Sequence, residues 1–408
     1  MKKKLLVVVT VFLFTFTSCS NLVEIKDVKD GLKRSPREEA ELYISNMLIW
    51  DNINMGRSIT EKRDWPDFLC SLSIEDENGN SLCFNDFLED EKKAFYEFWY
   101  KTEVDMLTES LETDEASIEY IKNENEIIDE VKRKVSRSAS HKEQSEEFVN
   151  EYIKLLEKNA KKSVYMATNR SSGGGGTSLS KDDLNKDSVG KLANAYHKGY
   201  ILIADKSSSS GTKVGYSGHA AIMHREAWDS NWNNRALEKI SISAWGKGKP
   251  SWEGKKDDKV QEEPLVYWAG KASGCPKQVE VVRMRRKKWV WNWFKSGLRF
   301  IEASDTDINN AVDNANSWIG RDYAYLSLIA GISSEVLNPV AAPTTYTVAM
   351  IAKNSEKQFY CSQLVWRSWY KVSSEFDINP TKPCILPGDL RPQKSGGVTE
   401  FVASYSNY

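Results

Sequence analysis

The chain reads as an α+β protein in which a helical N-terminal domain precedes a domain built on a small antiparallel sheet with a helix packed on it. Three observations predict this. The first part carries long apolar stripes at helical spacing, separated mostly by Glu and Lys. A run of Ser and Gly at 171–178 then breaks the pattern. Beyond it come short apolar runs of strand length, and late in the chain an amphipathic stretch that starts at Cys361.

The 408 residues are 40% apolar and 28% charged, which is ordinary globular composition. A net charge of −2 gives no bulk attraction for nucleic acid. Met1-Lys2-Lys3-Lys4 precedes an apolar run from Leu5 to Phe16, too short to span a bilayer permanently. This is the layout of a secretory signal over residues 1–18. Phe16-Thr17-Ser18-Cys19 resembles a bacterial lipoprotein lipobox, with Phe where such boxes usually have Leu. The resemblance implies a mature chain lipidated at Cys19, tethered to a membrane outside the cytoplasm, with 19–34 as the tether.

Residues 35–170 are expected to form the helical domain. Ser35-Pro36-Arg37-Glu38 is a helix start, with Ser35 as cap and Glu38 completing a capping box. Ala40, Ile44, Met47 and Leu48 continue it. Phe95, Phe98, Trp99, Thr102, Met106, Leu107 and Leu111 form a second stripe. Ile121, Ile128, Val131 and Val135 form a third, and Phe148, Tyr152, Leu155 and Leu156 a fourth. These stripes are core, and the domain's role is spacer, lid or partner surface.

Residues 171–180 are the linker, and 181–408 the second domain. Its strand candidates are Tyr200–Ala204, Tyr216–Met223, Lys239–Trp245 and Val279–Met284. The cationic and Trp-rich run from Arg283 to Phe300 reads as an edge strand leaving into a solvated helix, or as a surface for an anionic polymer or headgroups. Ser304 or Asp305 caps a helix to Trp318, lined by Ile308, Val312, Ala315 and Ile319 and stopped by Gly320.

Cys361, Leu364, Val365, Ser368 and Trp369 share one helical face. A thiol in a first turn meets unpaired N–H groups and partial positive charge, which favour thiolate. There are six cysteines: Cys19, Cys70, Cys83, Cys275, Cys361 and Cys384. With Cys19 lipidated, four of the others could pair in any of three ways in an oxidising compartment. One thiol is left over, and Cys361 is the best candidate for it. A nucleophilic thiol needs a base, and the chain has four histidines: His141, His197, His219 and His224. His219 and His224 are an odd number of residues apart and face opposite sides of one strand. His219 stands beside Gly218 and Ala220, which leave room for a substrate, and is the chosen base.

The order Ser217-Gly-His-Ala-Ala-Ile222, Gly320-Arg-Asp-Tyr323, Phe359-Tyr-Cys-Ser-Gln-Leu-Val365 and Pro387-Gly-Asp-Leu390 resembles the YiiX/YebB-like family. These are circularly permuted relatives of the NlpC-type papain-like amidases. The resemblance covers roughly Lys198 to Leu390, with Tyr200 where the family's opening strand usually has an acid. It implies a permuted papain-like cysteine hydrolase, with Cys361 as nucleophile, His219 as base, and the Cys361 backbone N–H in the oxyanion hole. The residue that orients the imidazole would lie in Ser241-Ile-Ser-Ala-Trp245, where Ser243 replaces the family's usual acid. Glu238 is a second candidate for that role. Tyr360, Tyr323 and Tyr216 would line the pocket. No cofactor or metal is implied. The expected activity is hydrolysis of an amide in cell-wall peptides through a thioester. The alternatives are lipid acyl chemistry, as in the related lecithin retinol acyltransferase-like proteins, with Leu326–Ala352 as an acyl groove, or a non-catalytic envelope-binding lipoprotein.

Overall fold

The structure is a computed structural model that describes residues 35–54, 65–113, 178–204, 218–225, 235–246, 251–272, 274–292, 296–324, 350, 353–378, 385–392 and 397–407. Cys19, Tyr216, His141, Cys384, the third and fourth helical stripes and nearly all of the Leu326–Ala352 segment lie outside these residues. Among the described residues no helix is long and apolar enough to cross a membrane.

Two helices come first, α1 (Pro36–Asn54) and α2 (Glu89–Thr113), with the short strands β1 (Ile74–Glu75) and β2 (Ser81–Leu82) between them. The capping box at the start of α1 forms as expected: the Ser35 N–H donates to the Glu38 carboxylate at 2.6 Å, and the Glu38 N–H to Ser35 Oγ at 3.3 Å. The second domain follows as α3 (Lys186–Ala195), β3 (Ile201–Ala204), β4 (His219–Met223), β5 (Lys239–Trp245), β6 (Lys259–Pro264) and α4 (Leu265–Trp268). It continues with β7 (Gln278–Val290), β8 (Gly297–Glu302), α5 (Asp305–Ser317), β9 (Asp322–Tyr323), β10 (Gln358–Phe359), α6 (Cys361–Tyr370) and β11 (Thr399–Ser406).

The protein is α+β, but its sheet is neither small nor wholly antiparallel. Eleven strands join in the order β10-β9-β6-β5-β4-β3-β7-β1-β2, with β8 and β11 also paired to β7. The pairs β9·β10 and β1·β7 are parallel. Helices cover both faces. On one, Ile203, Ala220, Ile222, Ile242 and Val282 pack against α5 and α6 through Val312, Leu364, Val365 and Trp369. On the other, Leu202, Ala221, Met223 and Val281 pack against α3 through Val189 and Leu192. Burial on both faces explains why β3 and β4 read as unbroken apolar runs.

The N-terminal region and the sheet share packing through β7. β1 runs parallel to the distal half of β7, with Ile74 opposite Trp289. Trp289 and Trp291 are buried among Phe84, Phe95 and Trp99 of the N-terminal region. Lys287 on β7 forms a buried ion pair with Glu103 on α2. The cationic stretch is therefore neither an edge nor a solvated helix: it is the long central strand that ties the two parts together. At the end of the expected linker, Ser178 bridges to Ser251 and the Leu179 N–H donates to the Ser251 carbonyl at 2.8 Å.

Among the described cysteines none of the possible disulfides forms. Cys70, Cys83, Cys275 and Cys361 are all free thiols. The Cys70 thiol bonds to Asn85 at 3.1 Å, and the buried Cys275 thiol to the Val266 carbonyl at 3.4 Å.

Candidate active site

Cys361 is the first residue of α6 and only 7% exposed. The helix start is stapled to the following loop. Ser362 Oγ donates to the Ile385 carbonyl at 2.6 Å, and the Tyr360 hydroxyl accepts from the Ile385 N–H at 3.0 Å. The Gln363 side chain donates to the Lys353 carbonyl at 2.9 Å, which fixes the approach to the turn.

The thiol hydrogen-bonds His219 and lies against the backbone N–H groups of Ala220 and Ser362. Burial pushes the thiol upward in pKa. The bond to His219, the imidazolium charge and the two backbone N–H groups together overcome this and lower it. Cys275 supplies the contrast. It is buried without a cation, and burial pushes it up to about 12.

His219 opens β4, opposite Ala204 of β3. Its Nε2 is 2.5 Å from Glu263 Oε1. That leaves Nδ1 for the thiol. Burial alone depresses the imidazole, but the Glu263 charge and the bonds to Cys361 and Glu263 raise it to about 9. The two shifts run in opposite directions, the thiol down and the imidazole up, beside a buried carboxylate.

Glu263 is wholly buried. A buried carboxylate is costly unless every lone pair finds a donor. Here Ser241 Oγ donates to Oε2 at 2.8 Å and Trp268 Nε1 to the same oxygen at 3.0 Å. Trp245 Nε1 donates to Oε1, the oxygen that meets His219. The same indoles enclose the imidazole: Trp268 stacks on it at 5.6 Å and 19°, and Trp245 lies 4.5 Å away. The Lys255 ammonium sits 4.5 Å over the outer face of Trp245.

Strand register explains the geometry. Glu263 on β6 lies opposite Ser241 on β5, and Ser241 lies opposite Met223 on β4. His219, four residues before Met223, therefore shares a face with Ser241 and Glu263. The expected orienting residue does not fill that role. Ser243 Oγ donates to the Ala220 carbonyl at 2.6 Å. The β4·β5 ladder covers only Ile222 and Met223, so the hydroxyl replaces a ladder bond that the diverging strands no longer make. Glu238 is engaged elsewhere, with Arg225 at 2.7 Å and Arg235 at 3.3 Å.

Tyr360 is buried and, with partly buried Tyr323, packs around Ala324 and Leu386 near the helix start. His224 faces away from His219, with Nε2 3.2 Å from the Lys239 carbonyl. Gly218 does not leave room for substrate. A Cβ there would lie 2.9 Å from Pro387, so the Gly-His and Pro-Gly-Asp motifs meet in direct contact. Among the described residues no group of three or more His, Cys, Asp and Glu side chains could hold a metal ion.

Glu263 was missed because Lys-Val-Gln-Glu-Glu-Pro lacks the apolar alternation that marks a strand. Its available signal is position: it directly precedes Pro264 and the wholly apolar Leu265–Trp268. Comparison with protein-family models, curated proteins and solved structures finds no match.

Proposed function

We propose that the chain is a cysteine hydrolase of permuted papain-like type, anchored through lipidated Cys19 to the bacterial cell envelope, and that it cleaves amide bonds in cell-wall peptides. The observation that carries this reading is the continuous chain from Cys361 through His219 to the buried carboxylate of Glu263. A helix-start thiolate beside a charged imidazole is the arrangement that covalent acyl transfer requires.

In the first step the Cys361 sulfur attacks the carbonyl carbon, and its electron pair forms the C–S bond. The oxyanion is met by the Cys361 backbone N–H, in the first helical turn where such groups lack an intrahelical partner. As the C–N bond breaks, the proton on His219 Nδ1 passes to the departing amine. Water then attacks the thioester and gives a proton back to Nδ1, and the carboxylic acid leaves as the thiolate is restored. Glu263 holds the ring orientation and stabilises its charge throughout. The carboxylate of Glu263 supports catalysis because it supplies the charge beside His219 that the Ser243 hydroxyl lacks.

The test is release of new amines from purified cell-wall peptides by the full chain, with Cys361→Ala as control. Release by the wild type that the substitution abolishes supports the reading. Release that survives Cys361→Ala overturns it. Hydrolysis of lipid esters in place of the peptides would overturn the substrate class and keep the mechanism.

A further inference from the structure

Lys255 stands in a corner made by two indoles. Its Nζ lies 4.5 Å from the ring centre of Trp245 and 5.2 Å from that of Trp252, and its side chain is only 4% exposed. The two indoles meet edge to face, 5.2 Å apart at 80°. A desolvated ammonium on an indole face is held by the negative face of the ring.

The loop between β5 and β6 builds this corner. The Lys255 N–H donates to the Trp252 carbonyl at 3.0 Å, which turns the chain back over Trp252. Gln261 on β6 pins the next residue on both sides. Its Oε1 accepts from the Lys256 N–H at 2.8 Å, and its Nε2 donates to the Lys256 carbonyl at 2.8 Å. Asp258, at φ +58°, takes the left-handed conformation that returns the chain to the sheet.

Trp245 joins the cation to the active site. Its N–H donates to Glu263 Oε1, the oxygen that also meets His219. A cation on the ring face draws electron density from the indole and strengthens the N–H as a donor. A stronger donor leaves less density at Oε1 for the imidazolium. The ammonium charge acts in the same direction, since it attracts the carboxylate and repels the imidazolium. Burial lowers the Lys255 pKa, and the charges of Asp257 and Glu263 oppose that, so the carboxylate and the ammonium feel each other.

The other titratable groups around His219 come from three elements. Glu263 is on β6 and Cys361 on α6. Tyr267 of α4 meets the imidazole edge to face, and burial keeps its phenol well above the ordinary value and neutral. Around Lys255 stands Asp257, 3.9 Å away and largely exposed, and Lys239 Nζ lies 5.6 Å from the Trp252 ring centre.

We infer that Lys255 is a positioning residue of the active site: it acts through Trp245 on Glu263 and limits the hold of that carboxylate on the His219 imidazolium. This rests on the reading of Cys361 and His219 as the reacting pair. An imidazolium gripped too firmly is a poor acid for the departing amine. Lys255 supplies the counterweight.

An NMR titration of the His219 imidazole in the full chain tests this, with all four histidines labelled and His219 assigned by its absence in His219→Gln. Lys255→Met keeps the stem and removes the charge. It should raise the midpoint by on the order of half a pH unit. Lys255→Arg should leave it at or below the wild-type value. In a Trp245→Phe background, which lacks the indole N–H, Lys255→Met should shift it clearly less. A midpoint unchanged in Lys255→Met, with thermal unfolding unchanged, overturns the role. A rise in Lys255→Arg equal to that in Lys255→Met overturns it too, because packing and not charge would be the cause. Equal shifts in both backgrounds overturn the route through the indole. Should Lys255→Met unfold, Lys255→Gln removes the same charge and is judged by the same outcomes. The imidazole titrates whether or not amines are released from cell-wall peptides. The expected shifts in an inactive protein therefore overturn the hydrolase reading alone, and a flat midpoint in an active one overturns the role of Lys255 alone.

Discussion

Glu263 Oε1 lies 2.5 Å from His219 Nε2, although the two residues sit on strands that are not neighbours. β5 runs between them and contributes Ser241 to the same carboxylate. Glu263→Gln keeps the shape and removes the charge. It should lower kcat/KM by at least about 10²-fold and raise the pKa of the Cys361 thiol. Ser243→Ala should leave the thiol pKa unchanged and cost about 1–3 kcal/mol of stability, since it strips a buried carbonyl of its donor. Thiol alkylation against pH in the two variants separates the roles.

The pH behaviour follows from opposite shifts on the coupled pair. The Cys361 thiol is lowered, so alkylation should begin below the free-cysteine value of ~8.5. His219 is raised to about 9, so the protonated imidazole that the proposed mechanism needs for the leaving group is lost above that pH. The kcat/KM profile should therefore fall through pH 9 while alkylation stays high. For stability, a raised histidine contributes fully below its unfolded value near 6.5, and that contribution disappears as pH rises through 9. A kcat/KM that keeps rising past pH 9 would disprove the imidazolium's part.

Trp245 and Trp268 each donate an indole N–H to Glu263. Trp268→Phe retains the ring over His219 and deletes the donor. We expect a loss of about 10- to 100-fold in kcat/KM, the equivalent of an unsatisfied buried charged group, with kcat affected more than KM. An unchanged kcat would mean that the indole only fills space.

Cysteine reactivity should divide by environment. Cys361 should label fastest in native protein at pH 7, ahead of the exposed Cys70 and Cys83. Cys275, buried and pushed up to about 12, should label only after unfolding. Mass mapping of labelled peptides over time reads this order.

Replacing Lys287 by Met leaves Glu103 buried without its cation, which should cost about 3–5 kcal/mol. Thermal or urea unfolding of the variant measures it. A cost near zero would mean that α2 does not depend on β7.

The sequence carries much of this fold because its strongest local patterns coincide with tertiary demand. Lys239–Trp245 is β5 with the expected bounds, and the α5 helix begins at the expected Ser304 cap. The Cys361 helix and His219 strand were legible for the same reason, since each pairs a chemical group with an apolar face. What was hidden depends on partners distant in the chain. The cations of β7 looked solvated because their acids lie far away: Glu103 is 184 residues from Lys287. Glu375, which pairs with Arg286 at 2.7 Å and Lys288 at 2.6 Å, is similarly remote. Glu263 carries no local signal of burial, because the indoles that solvate it belong to two other elements, β5 and α4.

One strand, β7, enters three separate cores: Val281 faces α3, Val282 faces α5 and α6, and Trp289 is enclosed by the N-terminal helices. This makes the protein poorly modular. A cut at the Ser/Gly run, where sequence alone would divide it, would leave Trp289 and Trp291 bare on the remaining half. The N-terminal region is thus a fixture of the eleven-stranded sheet and not a cassette that recombination could exchange.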